Sequence, residues 1–260
     1  MGDSLEEYLS ATRKEIDEAL EELLGGLVAP EIHPRIAYAL MSEGKRLRPI
    51  IVILSGRCID TDCNPMDLAL AFELLHTATL IHDDIIDCDD IRRKRPALHV
   101  KWNVDSAMLV GDALIAMSVK LASGYGKEII GRVADAALEL CEGEHMDISQ
   151  TPATSREKYI DIVGKKSGSL FRAAAECGAL AGGANPEQAG MIACFGHNFG
   201  IAYQLMDDIR DREKQPLPIP GDELYDRCRA AKSCLRTMPR SEGRDRLSRL
   251  ADLLASAGEM

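Results

Sequence analysis

Residues 72–99 read FELLHTATLIHDDIIDCDDIRRKRPALH, and the reading of this stretch decides the fold. Apolar residues recur at helical intervals through Leu74, Leu75, Leu80, Ile81, Ile85 and Ile86, which predicts one long helix with a buried face. That helix then takes on Asp83, Asp84 and Asp87, followed by Asp89, Asp90 and the pair Arg92 and Arg93. At helical spacing Asp83 and Asp87 stand one above the other, with Cβ atoms about 5–6 Å apart. His76 lies two turns earlier on roughly the same face. Like charges so placed cost roughly 0.2–0.5 kcal/mol even in water, and desolvation beside an apolar face raises the cost. A cation is expected here.

The residue types narrow its identity. An EF-hand alternates its ligands through a loop with a glycine at the sixth position, and this helical stretch has no such glycine. No zinc-type Cys/His arrangement is present either. Sparse carboxylates on a rigid helix, with arginines just beyond, suit magnesium. That ion keeps its waters, takes one or two carboxylates and binds together with substrate phosphates. A single motif of this kind is equally well read as an acidic helix end with a basic cap. A second copy breaks the tie. Residues 203–211 read YQLMDDIRD, so Asp207, Asp208 and Asp211 repeat the DDxxD spacing on another apolar helix, with Gln204 one turn before Asp208. Facing each other across a helical bundle, the two triads would hold magnesium ions and one diphosphate.

These motifs resemble those of the trans-prenyltransferases, the polyprenyl diphosphate synthases that include farnesyl and geranylgeranyl diphosphate synthases. Members of that family carry DDxxD followed by RRG, and a second motif FQxxDDxxD. The family's upstream GKRxRP appears as Gly44-Lys45-Arg46-Leu47-Arg48-Pro49, its histidine ahead of the first motif as His76, and its Lys-Thr pair as Lys166-Ser167. The likeness runs from around residue 40 to residue 211, with four motifs in the right order.

The resemblance implies an all-α fold: a single domain over residues 1–260, a helical bundle of the isoprenoid synthase type with a central cavity. It implies head-to-tail condensation of isopentenyl diphosphate with an allylic diphosphate, with Mg2+ as cofactor. The catalytic set would be Asp83, Asp84, Asp87, Asp207, Asp208 and Asp211, of which Asp83, Asp87 and Asp207 would ligate metal. Lys45 and Arg48 are implied for the isopentenyl diphosphate, Arg92 for the allylic diphosphate, and Arg93 for the isopentenyl one. His76, Lys166, Ser167 and Gln204 complete the implied substrate set. A homodimer in the cytoplasm is expected. In the family a bulky residue about one turn before the first aspartate blocks elongation. Ala78 and Thr79 are both small, so a product of C20 or longer is expected unless another wall such as Met117 closes the tunnel.

Three departures qualify the likeness. Lys94 and Ala97 replace the glycine and threonine of RRGxPTxH, which suggests a different loop path where the glycine's backbone freedom was needed. Ser167 keeps the hydroxyl of the threonine it replaces. After Asp211 the chain runs DREKQPLPIPGDELY, with Lys214 alone where the family has a lysine-bearing lid. Two other readings stand beside this one. A terpene cyclase shares the fold and first motif but has no use for Lys45, Arg48 and His76 as an isopentenyl site. A non-catalytic subunit that modulates an active synthase would explain the altered lid and loop, but not six intact aspartates.

Composition agrees with this class. The 260 residues hold 31 Lys and Arg against 42 Asp and Glu, a net charge of −11, which opposes nucleic-acid binding. Aromatics make up 4% and tryptophan occurs once, so strand formers are scarce and an all-α reading is favoured. The eight cysteines show no short paired spacing and read as unpaired thiols of a reducing compartment. No signal-type N-terminus is evident, and no apolar run of about 20 residues suggests a membrane span.

Helices are expected over 4–24 (capped by Ser4 and ended by Gly25-Gly26), 34–43, 50–59, 64–90, 104–123 and 126–148. Further helices are expected over 156–183 (capped by Ser155), 185–211, 221–237 and 243–257. Gly111 and Gly143 fall inside helices, which points to close packing there. His197, without a ligand-type partner at suitable spacing, reads as an ordinary core or surface histidine.

Overall fold

Helix-favouring composition and apolar periodicity carry directly into the architecture of the computed structural model, which describes residues 4–27, 29–149, 155–210 and 221–257. The chain packs as two compact units, residues 1–50 with 66–126, and residues 51–65 with 127–260.

The first unit holds α1 (Leu5–Leu27), α2 (His33–Leu40), the start of α3 (Leu47–Ile59), α4 (Met66–Ile86), α5 (Leu98–Lys101) and α6 (Val104–Ala122). A minimal hairpin, β1 (Ile91–Arg92) and β2 (Arg95–Pro96), follows α4. Ile36, Leu40, Leu74, Ala78, Ile81, Val110 and Leu114 form its apolar core. Ser4 and Glu7 close a capping box at the head of α1, with Glu7 N donating to Ser4 Oγ (3.2 Å) and Ser4 N to Glu7 Oε2 (2.8 Å). The helix does not stop at Gly25-Gly26 as expected but runs on to Leu27. Burial of Leu24 in the core outweighs the roughly 1 kcal/mol that each glycine costs a helix.

The helix that carries the first aspartates ends at Ile86, short of the expected Asp90. Cys88 takes a left-handed conformation (φ 55°), and Asp89 N donates to Asp84 O (3.0 Å). This is a Schellman-type ending in which cysteine stands where glycine is usual. It releases Asp89 and Asp90 from the helix and turns the chain into the hairpin. Inside α6, Gly111 admits the His82 ring of α4. A Cβ there would lie 2.1 Å from His82 Nε2, so the close packing inferred from the glycine is present. Val104–Tyr125 is also long and apolar enough to cross a membrane, a span not anticipated from the sequence. Ala107, Val110 and Leu114 on it are buried, whereas Met108 and Leu109 are exposed.

The second unit contains the rest of α3, then α7 (Lys127–Ile148), α8 (Arg156–Val163), a π-helical turn (Gly164–Gly168), α9 (Ser169–Ala181), α10 (Pro186–Arg210), α11 (Gly221–Cys234) and α12 (Glu242–Ala257). Ser155 caps α8 through Lys158 N (3.3 Å), and Asn185 and Gln188 cap α10 reciprocally (2.9 and 3.0 Å). Gly143 on α7 lets the π-helical turn approach, since a Cβ would sit 2.7 Å from Lys165 Cβ. Cys194 and Cys234 form a disulfide that joins α10 to α11, which corrects the expectation of eight unpaired thiols. The two lie 40 residues apart, too far for short spacing to reveal.

The basic turn before α3 is built around a buried cation. Arg46 has a left-handed backbone (φ 49°), which turns its side chain inward while Lys45 stays exposed. Its guanidinium donates to Glu73 Oε1 (2.6 Å), Asp17 Oδ1 (2.9 Å), Leu40 O (2.7 Å) and Ser42 O (3.3 Å). One side chain thereby ties α1, α2 and α4 together. Removing one member of such a buried pair strands the other, at about 3–5 kcal/mol. Glu73→Ala should lower the unfolding free energy by that order in a denaturant titration, and a loss near zero would mean that the pair is not buried in solution.

Candidate active site

The last turn of α4 presents the first aspartates on different sides. Asp87 N donates to Asp83 O (2.8 Å), which fixes the two carboxylates one turn apart. Asp83 is half-buried and Asp87 exposed. Asp84 is buried and accepts from Arg92 Nε (2.6 Å). Burial pushes the Asp84 carboxyl above its ordinary value, against the opposing pull of Arg92. Burial also works against the Arg92 charge, yet Asp84, Asp89 and Asp83 more than restore it.

The hairpin delivers the arginines. Its register pairs Arg92 with Arg95, and like charges directly opposite would repel. Asp84 takes Arg92, and Arg95 lies over the Tyr38 ring at 3.9 Å from the centroid. Both residues of the turn have positive φ, Arg93 at 50° and Lys94 at 62°, as a two-residue type I′ turn demands. Lys94 therefore takes a left-handed angle where the family has glycine. The lysine accepts strain of about 1–2 kcal/mol for it. Arg93 Nη1 donates to Ser42 Oγ (2.9 Å), and its guanidinium lies against Gly44. Arg93 is thus brought to the turn that carries Lys45 and Arg48. His76 stands among the same cations. Burial, with Arg48, Arg93, Arg46 and Arg92 nearby, holds its imidazole well below the ordinary value and therefore neutral.

In the second unit Asp208 is buried on α10 and accepts from Gln204 Nε2 (2.9 Å) and from the Tyr159 hydroxyl. Ser167 Oγ donates to Gln204 Oε1 (2.8 Å), so Ser167, Gln204 and Asp208 form one chain of hydrogen bonds. Burial raises the Asp208 carboxyl above its ordinary value despite both donors. The Tyr159 phenol is pushed up by burial and by Asp208 itself. Lys166 pairs with Glu144 (2.7 Å) and Asp147 of α7. Burial disfavours its charge, and the two carboxylates outweigh that and hold the ammonium well above its usual range. Asp207 is half-buried, while Asp211, Lys214 and the proline-rich stretch lie outside the described residues.

The structure thus brings Lys166, Ser167, Gln204 and Asp208 into contact chains within one unit, and Asp84, Arg92, Arg93 and His76 into one cluster in the other. Ala78 is fully buried in the apolar core of the first unit, Thr79 is half-buried, and Met117 packs against the same core. Sequence reading missed Tyr159, Glu144, Asp147, Ser42 and the inward Arg46. The only available signals were Glu144 and Asp147 three apart beside Gly143, and an arginine among the other cations of the basic turn.

The donor set fits magnesium. Asp83 and Asp87 offer hard oxygen ligands one helical turn apart. Among the described residues no three His, Cys, Asp or Glu side chains converge as an all-protein cage. Magnesium, which completes its shell with water and phosphate, needs no such cage.

Because the Asp208 carboxyl is raised, its ionised form opposes folding. The stability it contributes is present at low pH and lost as pH rises through the folded value. Asp208→Asn should therefore raise the melting temperature at about pH 7.5, with a gain that shrinks toward about pH 4. A melting temperature lowered equally at both pH values would contradict this.

A profile of the family described as Polyprenyl synthetase matches residues 29–218. Geranylgeranyl diphosphate synthase of Methanosarcina mazei is 37% identical over 205 residues, covering 75% of this chain and 63% of that relative. The short chain isoprenyl diphosphate synthase of Methanothermobacter thermautotrophicus is 31% identical over 257 residues, covering 94% and 78%. A polyprenyl synthase from Caulobacter crescentus CB15, solved with calcium and isoprenyl diphosphate, matches at a TM-score of 0.88 and 25% identity over 98% of each chain. The chain thus spans less than two thirds of the first of these relatives.

Proposed function

This chain belongs to the polyprenyl synthetase family and shares its all-α fold, and we propose that it is a magnesium-dependent prenyltransferase. It condenses isopentenyl diphosphate with an allylic diphosphate, head to tail, to give a polyprenyl diphosphate of C20 or longer. One observation carries the reading. Each aspartate motif is already bonded to a group of the expected substrate set, Asp84 to Arg92 and Asp208 through Gln204 to Ser167.

Asp83, Asp87 and Asp207 hold magnesium in this proposal, which supplies charge neutralisation of the diphosphate leaving group. Asp84 and Asp208 orient their motifs from buried positions, and Asp211 completes the second. Lys45, Arg48 and Arg93 receive the isopentenyl diphosphate through charge-assisted hydrogen bonds, with the neutral His76 beside them. Arg92, Lys166, Ser167 and Gln204 address the allylic diphosphate. Arg92 and Lys166 are carboxylate-paired at rest, so substrate phosphate exchanges one anionic partner for another. The small Ala78, in one apolar core with Met117, supports the long product. Neither unit is a continuous stretch, since residues 51–65 of the second interrupt the first, and this supports a single synthase domain over 1–260. The exposed Met108 and Leu109 of α6 support a homodimer, which we place in the cytoplasm.

The test is incubation of the purified chain alone with magnesium and both diphosphates, followed by mass analysis of the dephosphorylated product. A C20 or longer alcohol is expected. Asp83→Ala or Asp207→Ala should each lower turnover by about a hundredfold, the scale seen when metal binding is disrupted. Near wild-type turnover of either variant would defeat the two-motif assignment. A chain inert alone that stimulates another synthase would instead mark a modulating subunit.

A further inference from the structure

Lys166 and Ser167 are neighbours in sequence yet serve different partners, Lys166 the carboxylates of α7 and Ser167 the Gln204 amide of α10. Both lie within the π-helical turn Gly164–Gly168, which sets the directions in which they project. Such a turn inserts one residue into a helix and rotates the next helical segment by about 100°. Turns of this kind are rare and arise mostly as single insertions at functional sites, so a support for it is expected.

The support is visible on α10. His197 lies seven residues before Gln204 on the same helix, and its ring seats against both glycines that bound the turn. A Cβ on Gly168 would lie 2.9 Å from His197 Nδ1 and 3.1 Å from Cε1, and one on Gly164 would lie 3.5 Å from Cε1. The imidazole fills the space that side chains at 164 and 168 would otherwise occupy. We propose that His197 is a positioning residue for diphosphate capture, its ring propping the π-helical turn so that Lys166 and Ser167 reach their separate partners. This role rests on the reading of Lys166 and Ser167 as diphosphate ligands. His197 itself touches no substrate.

Pyrophosphate titrated calorimetrically into the full chain, with magnesium saturating, tests the proposal through binding alone. Steady-state kinetics with the allylic substrate supply the second readout. His197→Ala should weaken pyrophosphate about tenfold, the scale lost when a residue supporting a ligand is removed. It should raise the KM for the allylic substrate more than it lowers kcat. His197→Phe, which keeps a ring in the seat, should restore most of the affinity. In a Lys166→Ala background the same His197→Ala change should have little further effect. An equal fold-loss in both backgrounds, or unchanged affinity in His197→Ala, would overturn the proposal. Should His197→Ala fail to fold, Gly168→Ala pushes the ring from the opposite side and should show the same loss; a folded Gly168→Ala protein with wild-type affinity would refute the role. A wild-type chain that binds no magnesium pyrophosphate would remove the Lys166 reading itself, and this role with it.

Discussion

Taking a carboxylate out of water costs several kcal/mol unless a cation or a set of donors replaces the lost hydration. Among the described residues the chain buries Glu73, Asp84, Glu144 and Asp208, and each meets this constraint with a specific partner. Glu73 holds Arg46, Asp84 holds Arg92, Glu144 holds Lys166, and Asp208 accepts from Tyr159 and Gln204. The first pair braces the bundle. The other three hold Arg92, Lys166 and Gln204, the groups proposed to meet diphosphate. Much of the local structure answers to these pairs: the left-handed Arg46, the hairpin that returns Arg92 to α4, and the π-helical turn that aims Lys166 at α7.

Under the proposed function, the same constraint would let an acidic chain of net charge −11 receive two anionic substrates. The cations of the site are not scattered over a basic surface. Arg46, Arg92 and Lys166 are each held against a buried carboxylate, Glu73, Asp84 and Glu144, which keeps them charged and in place. Such a site is costly to stability at neutral pH, because burial raises the Asp84 and Asp208 carboxyls above their ordinary values and so works against their charge. Buried carboxylates of this kind are a strain that the surrounding packing carries.

Much of this was legible in the sequence. The DDxxD spacing and its apolar helical setting pointed to the helices of both motifs, and the scarcity of aromatic strand formers to the fold class. By periodicity alone residues 50–59 also suited a buried strand, and the want of a strand partner elsewhere made α3 readable as helix. Features set by distant partners were not readable. Local rules ended α1 at Gly25-Gly26, but the burial of Leu24 carries it further. They gave no sign that Lys94 would accept the left-handed angle that the two-residue hairpin demands. The Cys194–Cys234 bond, the inward turn of Arg46 and the contact of Tyr159 with Asp208 depend on helices brought together from 27 to 49 residues apart. The π-helical turn shows in sequence only as glycines at its two ends.

The central claim is that magnesium lets a carboxylate-rich site accept diphosphate. Calorimetric titration of inorganic pyrophosphate into the full chain, with and without magnesium, tests it most directly. The account predicts saturable binding with magnesium and little or none with chelator present, since the aspartates then repel the anion. Equally tight binding in both conditions would contradict it and leave the basic side chains as the whole of the site.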